Sequence, residues 1–261
     1  MCPAFAVLWC ILCMDCVRPD LYQDAFMTLT PFDHSAACYN DGAVIQRRVA
    51  HDLGAWVMQH YAHLRHLCDV AAGTGFVGEA LPPHIHYTAV DPSPAMLSHI
   101  LRPAVRVVGC AESLPFAPRP QFDVMTCSMG LPWFADPKAP LSWRPFLRPK
   151  GVVVIRTLGA GSFSPFYDAL ARVGRADKII PWPSAEDLTA LWSSASVTVT
   201  RHLYETEPLT LGDFLWSLKT IGAHRHPARG AALSPKEMLA ITQDTRAMPH
   251  PYVIHQAVLC P

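Results

Sequence analysis

The chain carries no excess of either charge: 21 Lys and Arg stand against 21 Asp and Glu, for a formal net charge of zero. A general nucleic-acid binder normally shows a basic face, so this balance argues against nucleic acid while leaving room for a local basic patch. Long apolar runs are also missing. The stretch from Pro3 to Met14 is shorter than the roughly 20 residues needed to span a bilayer. It lacks the positive leading segment of a secretory signal, so no membrane association is expected. Polar low-complexity tracts and internal repeats are absent too, which leaves no sign of a repeat array. No Ser–His–Asp set, carboxylate pair or metal cluster stands out. The 13 histidines, with His63, His84 and His86 near predicted loops, form no ligand set by spacing. Cys10, Cys13 and Cys16 have metal-like spacing but no evident fourth ligand, so no metal is expected.

What is present suits one sizeable α/β domain. The 261 residues, 51% of them hydrophobic, are enough for a single large core with an appended lid. Proline, at 25 residues, is about twice its usual share and gathers in loops such as Pro82-Pro83, Pro92, Pro94 and Pro115 to Pro120. Of the nine cysteines, Cys68 and Cys127 fall on apolar runs that read as buried strands. They are expected as reduced, small apolar side chains of a cytoplasmic protein rather than parts of a disulfide framework. Residues 1–26 are expected to lie outside the fold as an extension ahead of Met27, with a single domain over 27–261.

The most informative segment is Leu67-Cys68-Asp69-Val70-Ala71-Ala72-Gly73-Thr74-Gly75-Phe76-Val77, with Asp91 sixteen residues after Gly75. An apolar run ends in a glycine-bearing turn, a helix-compatible segment follows, and a second apolar run, Tyr87 to Val90, ends on a carboxylate. Glycines let the backbone turn sharply and approach a ligand closely. An acid about twenty residues past such a loop commonly accepts hydrogen bonds from a ribose diol. The pattern points to a nucleoside cofactor. Gly73, Gly75 and Gly78 satisfy G-x-G-x-x-G, which taken alone would suggest a nicotinamide dinucleotide.

The rest of the chain alternates. A helix is expected from Ala43 to Tyr61, where Ile45, Val49, Leu53, Trp56 and Val57 make one apolar stripe, with Phe32 to Asn40 leading into it. Strands and helices alternate from His66 to Leu158, which implies a mostly parallel sheet with helices on both faces. Ligands in such sheets sit beyond the carboxyl ends of the strands. After Leu158, helices are expected at Phe163–Val173, from Ser184, at Leu211–Ile221 and from Ser234. Ser184 caps its helix ahead of two acids that suit the helix dipole. Strands are expected at Val197–Tyr204 and Pro251–Leu259, and 159–261 is read as lid and C-terminal elements.

Asp69-Val70-Ala71-Ala72-Gly73-Thr74-Gly75 resembles the first motif of the class I S-adenosylmethionine-dependent methyltransferases, with Ala71 at the family's usual first glycine, a change expected to tighten the loop slightly. Val90 to Leu97 resembles the second motif, Val107 to Phe116 the third, Phe122 to Ser128 the fourth strand, and Leu147 to Ile155 the fifth. The resemblance implies a Rossmann-like fold and S-adenosylmethionine as cofactor. It implies cofactor contacts at Asp69, Ala71, Gly73, Gly75, Asp91, Met96, Ala111, Glu112 and Ser128, with Asp91 on the ribose and Met96 near the adenine. Cys110 stands where the family often has an aspartate for the adenine amino group, and a thiol is a poor acceptor.

The flanks narrow the resemblance. Phe32 to Asn40 with Gln46 to Ala50, then Phe214 to Ala223, Arg229, Leu233 and Pro251 to His255, resemble the malonyl-acyl-carrier-protein O-methyltransferases of biotin synthesis. That implies methyl esterification of the free carboxylate of a malonyl thioester carried on acyl carrier protein. Tyr39 is the implied active-site residue that orients the reacting groups. Lys219, Arg225 and Arg229, with Arg172 and Arg175, make a candidate docking patch for the acidic carrier. Two other readings stay open on the residues: a methyltransferase for another small molecule, such as a quinone precursor, and a cofactor-binding assembly factor without transfer activity.

Overall fold

The computed structural model describes residues 31–223 and 233–260. The expected N-terminal extension, its three spaced cysteines, Arg225 and Arg229 lie outside the described residues. A seven-stranded sheet runs in the order β3-β2-β1-β4-β5-β7-β6. Its strands are β1 (His66–Val70), β2 (His86–Asp91), β3 (Val105–Val108), β4 (Phe122–Ser128), β5 (Leu147–Leu158), β6 (Ser196–Glu205) and β7 (Pro251–Cys260). β1 to β5 pair in parallel. β7 is antiparallel to both β5 and β6. The strand order reverses beside β1, so the loops after β1, β2 and β4 meet at one edge of the sheet. Among the described residues no helix is long and apolar enough to cross a membrane.

The core strands are buried on both faces, mostly by apolar side chains, with Asp69, Thr126 and Arg156 as buried polar exceptions. Leu67, Tyr87, Ala89, Val124 and Val154 pack beneath α2 (Val44–His60) and α3 (Phe76–Glu79). Cys68, Val70, Met125, Cys127, Val153 and Ile155 face the other way, against Trp143, Phe146, Leu188 and Trp192. The α2 stripe is the one its spacing predicts, with Ile45, Val49, Leu53 and Val57 buried. A third cluster, holding Phe163, Phe166, Leu170, Tyr204, Phe214, Leu218, Ile241 and Tyr252, builds the lid. It joins α5 (Ser164–Arg172), α7 (Leu211–Thr220) and α8 (Pro235–Thr242) to the ends of β6 and β7. Each large side chain buried here contributes roughly 1.5–3 kcal/mol.

Helix starts follow local chemistry. Ser184 and Asp187 form a reciprocal capping box at α6 (Ala185–Leu191), as do Ser234 and Glu237 at α8, each satisfying two backbone donors. One expectation changes. Phe32 to Asn40 is not a lead-in but part of a helix, α1 (Pro31–Gly42), held by packing on distant residues rather than by a strong stripe of its own. Two arginines act as internal staples. Arg102 donates to the carbonyls of Gly78, Leu81, Pro82 and Ile85. Arg156, 2% exposed, donates to Gln256 on β7, to the Val49 carbonyl on α2 and to the Tyr204 hydroxyl on β6.

Candidate active site

The loop after β1 is wound in the left-handed region. Ala71 has φ 56°, Gly73 φ 55° and Gly75 φ 84°. For an alanine this conformation costs roughly 1–2 kcal/mol, so Ala71 does more than tighten the turn. The Ala71 methyl fits because Gly130 lies opposite. A Cβ at Gly130 would stand 2.5 Å from that of Ala71 and 2.9 Å from Cys127 Sγ. The Ala72 amide donates to the Val90 carbonyl at 3.0 Å, which fastens the loop to the tip of β2.

Asp91 ends β2 and is buried. The Gly73 amide donates to its Oδ2 at 2.8 Å and the Ser93 amide to its Oδ1 at 2.9 Å. A carboxylate has about four acceptor sites, so each oxygen keeps capacity for a ligand hydroxyl. Burial pushes its pKa up to about 6, the two amides pull it back, and nearby Asp33 raises it further. Ser93 caps α4 (Pro94–Ser98), its Oγ accepting from the Met96 amide at 3.1 Å. The same hydroxyl donates to Asp33 of α1. Met96 is buried beneath the loop, its Cε 3.5 Å from where a Cβ on Gly73 would sit.

Asp69 is 1% exposed. Tyr87 of β2 donates to its Oδ2 at 2.8 Å and Thr126 of β4 to its Oδ1 at 2.7 Å. Burial raises its pKa to about 7 against the pull of both hydroxyls, and the charge of Asp91 adds to the rise. Its carboxylate thus ties three strands under the floor of the site. Ser128, at the end of β4, and Thr74, in the loop, each bury a hydroxyl oxygen with no hydrogen-bond partner. An unmet buried polar atom costs about 1–3 kcal/mol, so each hydroxyl favours a polar partner, water or ligand, beside it. Ala111 is buried, and its carbonyl accepts from the Trp143 indole at 2.8 Å. Glu112 gives its carboxylate to the Ala135 amide at 2.7 Å, which fastens the loop after β4. Cys110 is an exposed free thiol.

Tyr39 closes the site from α1. Its ring stacks on Phe76 at 5.8 Å and meets Phe32 edge-on at 6.3 Å, and Phe32 in turn meets Trp133 at 4.9 Å. Burial, then the charge of Asp91, push the phenol well above its ordinary range, so Tyr39 keeps its proton. Of the carrier-patch candidates, Lys219 and Arg175 make local contacts. Lys219 sits with its ammonium 5.4 Å over the Trp216 ring of α7. Arg175 is committed to Asp177 and Glu237. Asp33, Thr74, Phe76 and Trp133 are members of the site that sequence spacing did not single out. Thr74 and Phe76 lie inside the glycine-loop segment and Asp33 inside Phe32 to Asn40, so only Trp133 carried no local signal. Among the described residues no group of three or more His, Cys, Asp or Glu is placed to hold a metal ion.

A family model described as a methyltransferase domain matches residues 68–155, which run from β1 into β5. A malonyl-[acyl-carrier protein] O-methyltransferase of Dechloromonas aromatica is 30% identical over 200 residues, covering 74% of this chain and 75% of its own length. The chain belongs to this family of S-adenosylmethionine-dependent methyltransferases. A relative of the same name from Serratia marcescens is 29% identical over 221 residues, covering 81% of this chain and 84% of its own. A solved structure of a putative methyltransferase from Bacillus halodurans superposes with a TM-score of 0.55 at 16% identity, over 79% of this chain and 97% of that one, which bears on the fold alone. The methyltransferase's sheet, with its antiparallel β7, is the Rossmann-like arrangement of the class. Its cofactor is S-adenosylmethionine. The residues present fit that group: an acid with spare acceptor capacity at the tip of β2, a glycine loop after β1, and buried hydroxyls in that loop and at the end of β4.

Proposed function

We propose that this methyltransferase esterifies the free carboxylate of a malonyl thioester carried on acyl carrier protein. The observation that carries the reading is the shared name of relatives aligned over three quarters of both chains. Gly73, Gly75, Asp91, Met96, Ala111 and Ser128 would hold the cofactor. Asp69 would support the loop from below, and Ala71 and Glu112 would shape the walls. Once bound, S-adenosylmethionine supplies a methyl carbon on a sulfonium sulfur, so that the new O–C bond forms as the C–S bond breaks.

A carboxylate is already ionised at neutral pH, so this acceptor needs no general base. Positioning then supplies the rate: well-oriented reactants gain up to about 7–11 kcal/mol. Tyr39, held protonated, donates a hydrogen bond that orients the acceptor, and the Phe32, Phe76 and Trp133 rings exclude water. The product ester carries no charge. An unpaired carboxylate costs several kcal/mol to bury, so the ester makes the acyl group acceptable to enzymes that handle apolar chains. Lys219, Arg225 and Arg229 are the proposed contacts to the acidic carrier.

The test is a transfer assay with methyl-labelled S-adenosylmethionine. It offers malonyl carrier protein, malonyl-coenzyme A and the acids one carbon shorter and longer. Base-labile label on the malonyl carrier is expected. Label on an unrelated small acceptor, with none on malonyl thioesters, would reject the assignment.

A further inference from the structure

Helix α1 touches the segments that follow β1, β2 and β4, each through a different side chain. Tyr39 stacks on Phe76, just past the glycine loop after β1. Asp33 accepts from the Ser93 hydroxyl, in the loop after β2. The Phe32 ring meets Trp133, in the turn Leu131–Trp133 after β4. These three segments meet at one edge of the sheet, so α1 lies across that edge as a strap.

The contacts differ in kind. Two are ring contacts. The bond to Asp33 is charge-assisted, and such bonds are roughly twice as strong as neutral ones. It is also buried at the serine end, because Ser93 is 0% exposed. A hydroxyl has one proton to give, and Ser93 gives it to Asp33 while its oxygen takes the Met96 amide. The Ser93 amide meanwhile holds Asp91. One residue of the β2 loop thus serves Asp91 with its backbone and α1 with its side chain.

Capping α4 does not require the Asp33 carboxylate, since the cap is the Ser93 oxygen accepting from Met96. The charge of Asp33 also opposes that of Asp91. A neutral acceptor would seat α1 without that opposition. The seat of α1 is therefore a strong single bond set against a nearby like charge.

We propose that Asp33 is a positioning residue whose bond to Ser93 latches α1, and with it Tyr39, across the cofactor site, so that S-adenosylmethionine enters and leaves only when this bond opens. The assignment rests on the cofactor placement above, with Asp91 as the ribose acid, and holds whichever acceptor is methylated.

The experiment measures association and dissociation rates of S-adenosylmethionine by stopped-flow fluorescence. It compares the wild type with Asp33→Ala, Asp33→Asn, Ser93→Ala and the double variant Asp33→Ala, Ser93→Ala. Thermal unfolding reports that each is folded, and Ser93→Ala carries the same prediction should Asp33→Ala not fold. Asp33→Ala should raise both rates roughly tenfold or more, the factor for losing a hydrogen bond to a charged group, so that Kd moves little. Asp33→Asn, whose amide oxygen still accepts, should fall closer to the wild type. The double variant should be no faster than Ser93→Ala alone, because both substitutions remove one contact. A merely structural loss loosens the site and speeds dissociation without speeding association; that result, unchanged rates, or effects that multiply in the double variant would overturn the latch. Asp91→Asn is the control for the placement. Weaker binding in that variant with unchanged rates in Asp33→Ala rejects the latch alone, whereas unchanged binding in Asp91→Asn rejects the placement and the latch with it.

Discussion

Replacing Asp69 by asparagine should change how the stability of the ligand-free protein depends on pH. Burial raises the Asp69 carboxyl from its ordinary 3.8 to about 7, and each unit is worth about 1.36 kcal/mol. The ionised carboxylate therefore costs the fold on the order of 4 kcal/mol above pH 7. Between these two values the folded chain binds one more proton than the unfolded chain. Stability from this group accordingly falls as pH rises through the window and is flat on either side. From pH 5.5 to pH 8 the loss is about 2 kcal/mol.

An asparagine cannot ionise, so the Asp69→Asn variant lacks this slope. The amide side chain still offers an acceptor to one of the Tyr87 and Thr126 hydroxyls and a donor to the other, at a roughly constant cost near 1 kcal/mol for the reversed bond. Other groups titrate in the same range. Burial lowers the pKa of His66, His202, His250 and His255. Their stability is present above their unfolded pKa and is lost as pH falls, the opposite slope. They are common to both proteins, so the readout is the difference between variant and wild type, taken from urea unfolding at pH 5.5, 6.5, 7.5 and 8. The variant should gain about 2 kcal/mol relative to wild type between the lowest and highest pH. A difference that stays constant within about 0.5 kcal/mol would refute the reading of Asp69 as a buried, destabilised carboxylate.

Asp91→Asn should weaken S-adenosylmethionine binding by roughly 10- to 100-fold in calorimetry, the loss expected for hydrogen bonds to a charged acceptor. For the wild type, the same affinity should fall as pH drops below about 6, where Asp91 takes up a proton; a flat profile from pH 5 to 8 would contradict this. Tyr39→Phe should lower kcat while leaving the cofactor Kd near its wild-type value, and unchanged turnover would remove Tyr39 from the mechanism. Gly130→Ala should destabilise the fold by about 1–3 kcal/mol through overpacking, because its new Cβ meets Ala71 at 2.5 Å. Adding Ala71→Gly should recover part of that loss in a thermal unfolding cycle, and strict additivity of the two changes would count against the contact.

The parts of this molecule legible in sequence are those whose signal is local. The strand, glycine loop and acid from Leu67 to Asp91 lie within one short segment, and Asp91 does take the Gly73 amide. Ser184 and Ser234 announce their helices because cap and partner are three residues apart. The α2 stripe is equally local. By contrast, α1 folds against Phe76, Trp133 and Thr220, all far along the chain, so nothing within Phe32 to Asn40 declares it a helix. Asp69 reads as a motif acid, yet its hydrogen bonds go to Tyr87 and Thr126 on neighbouring strands, which only strand order can bring beside it. Arg156 gives no local hint of burial inside an otherwise apolar strand. Its partners come from α2, β6 and β7.

The cofactor acid and the lid are joined through shared atoms. The Ser93 amide holds Asp91, while the Ser93 hydroxyl receives the Met96 amide and gives its own proton to Asp33. Asp33 lies on the same helix as Tyr39, six residues earlier, and Cys38 of that helix reaches the Thr220 carbonyl on α7. One short helix thus links Asp91, the aromatic cover and the lid. Asp91 and α1 share one serine as a hydrogen-bond partner. The flank segments whose resemblance is to the narrower family, Phe32 to Asn40 and Phe214 to Ala223, lie on α1 and on or just after α7, outside the residues 68–155 that the family model matches.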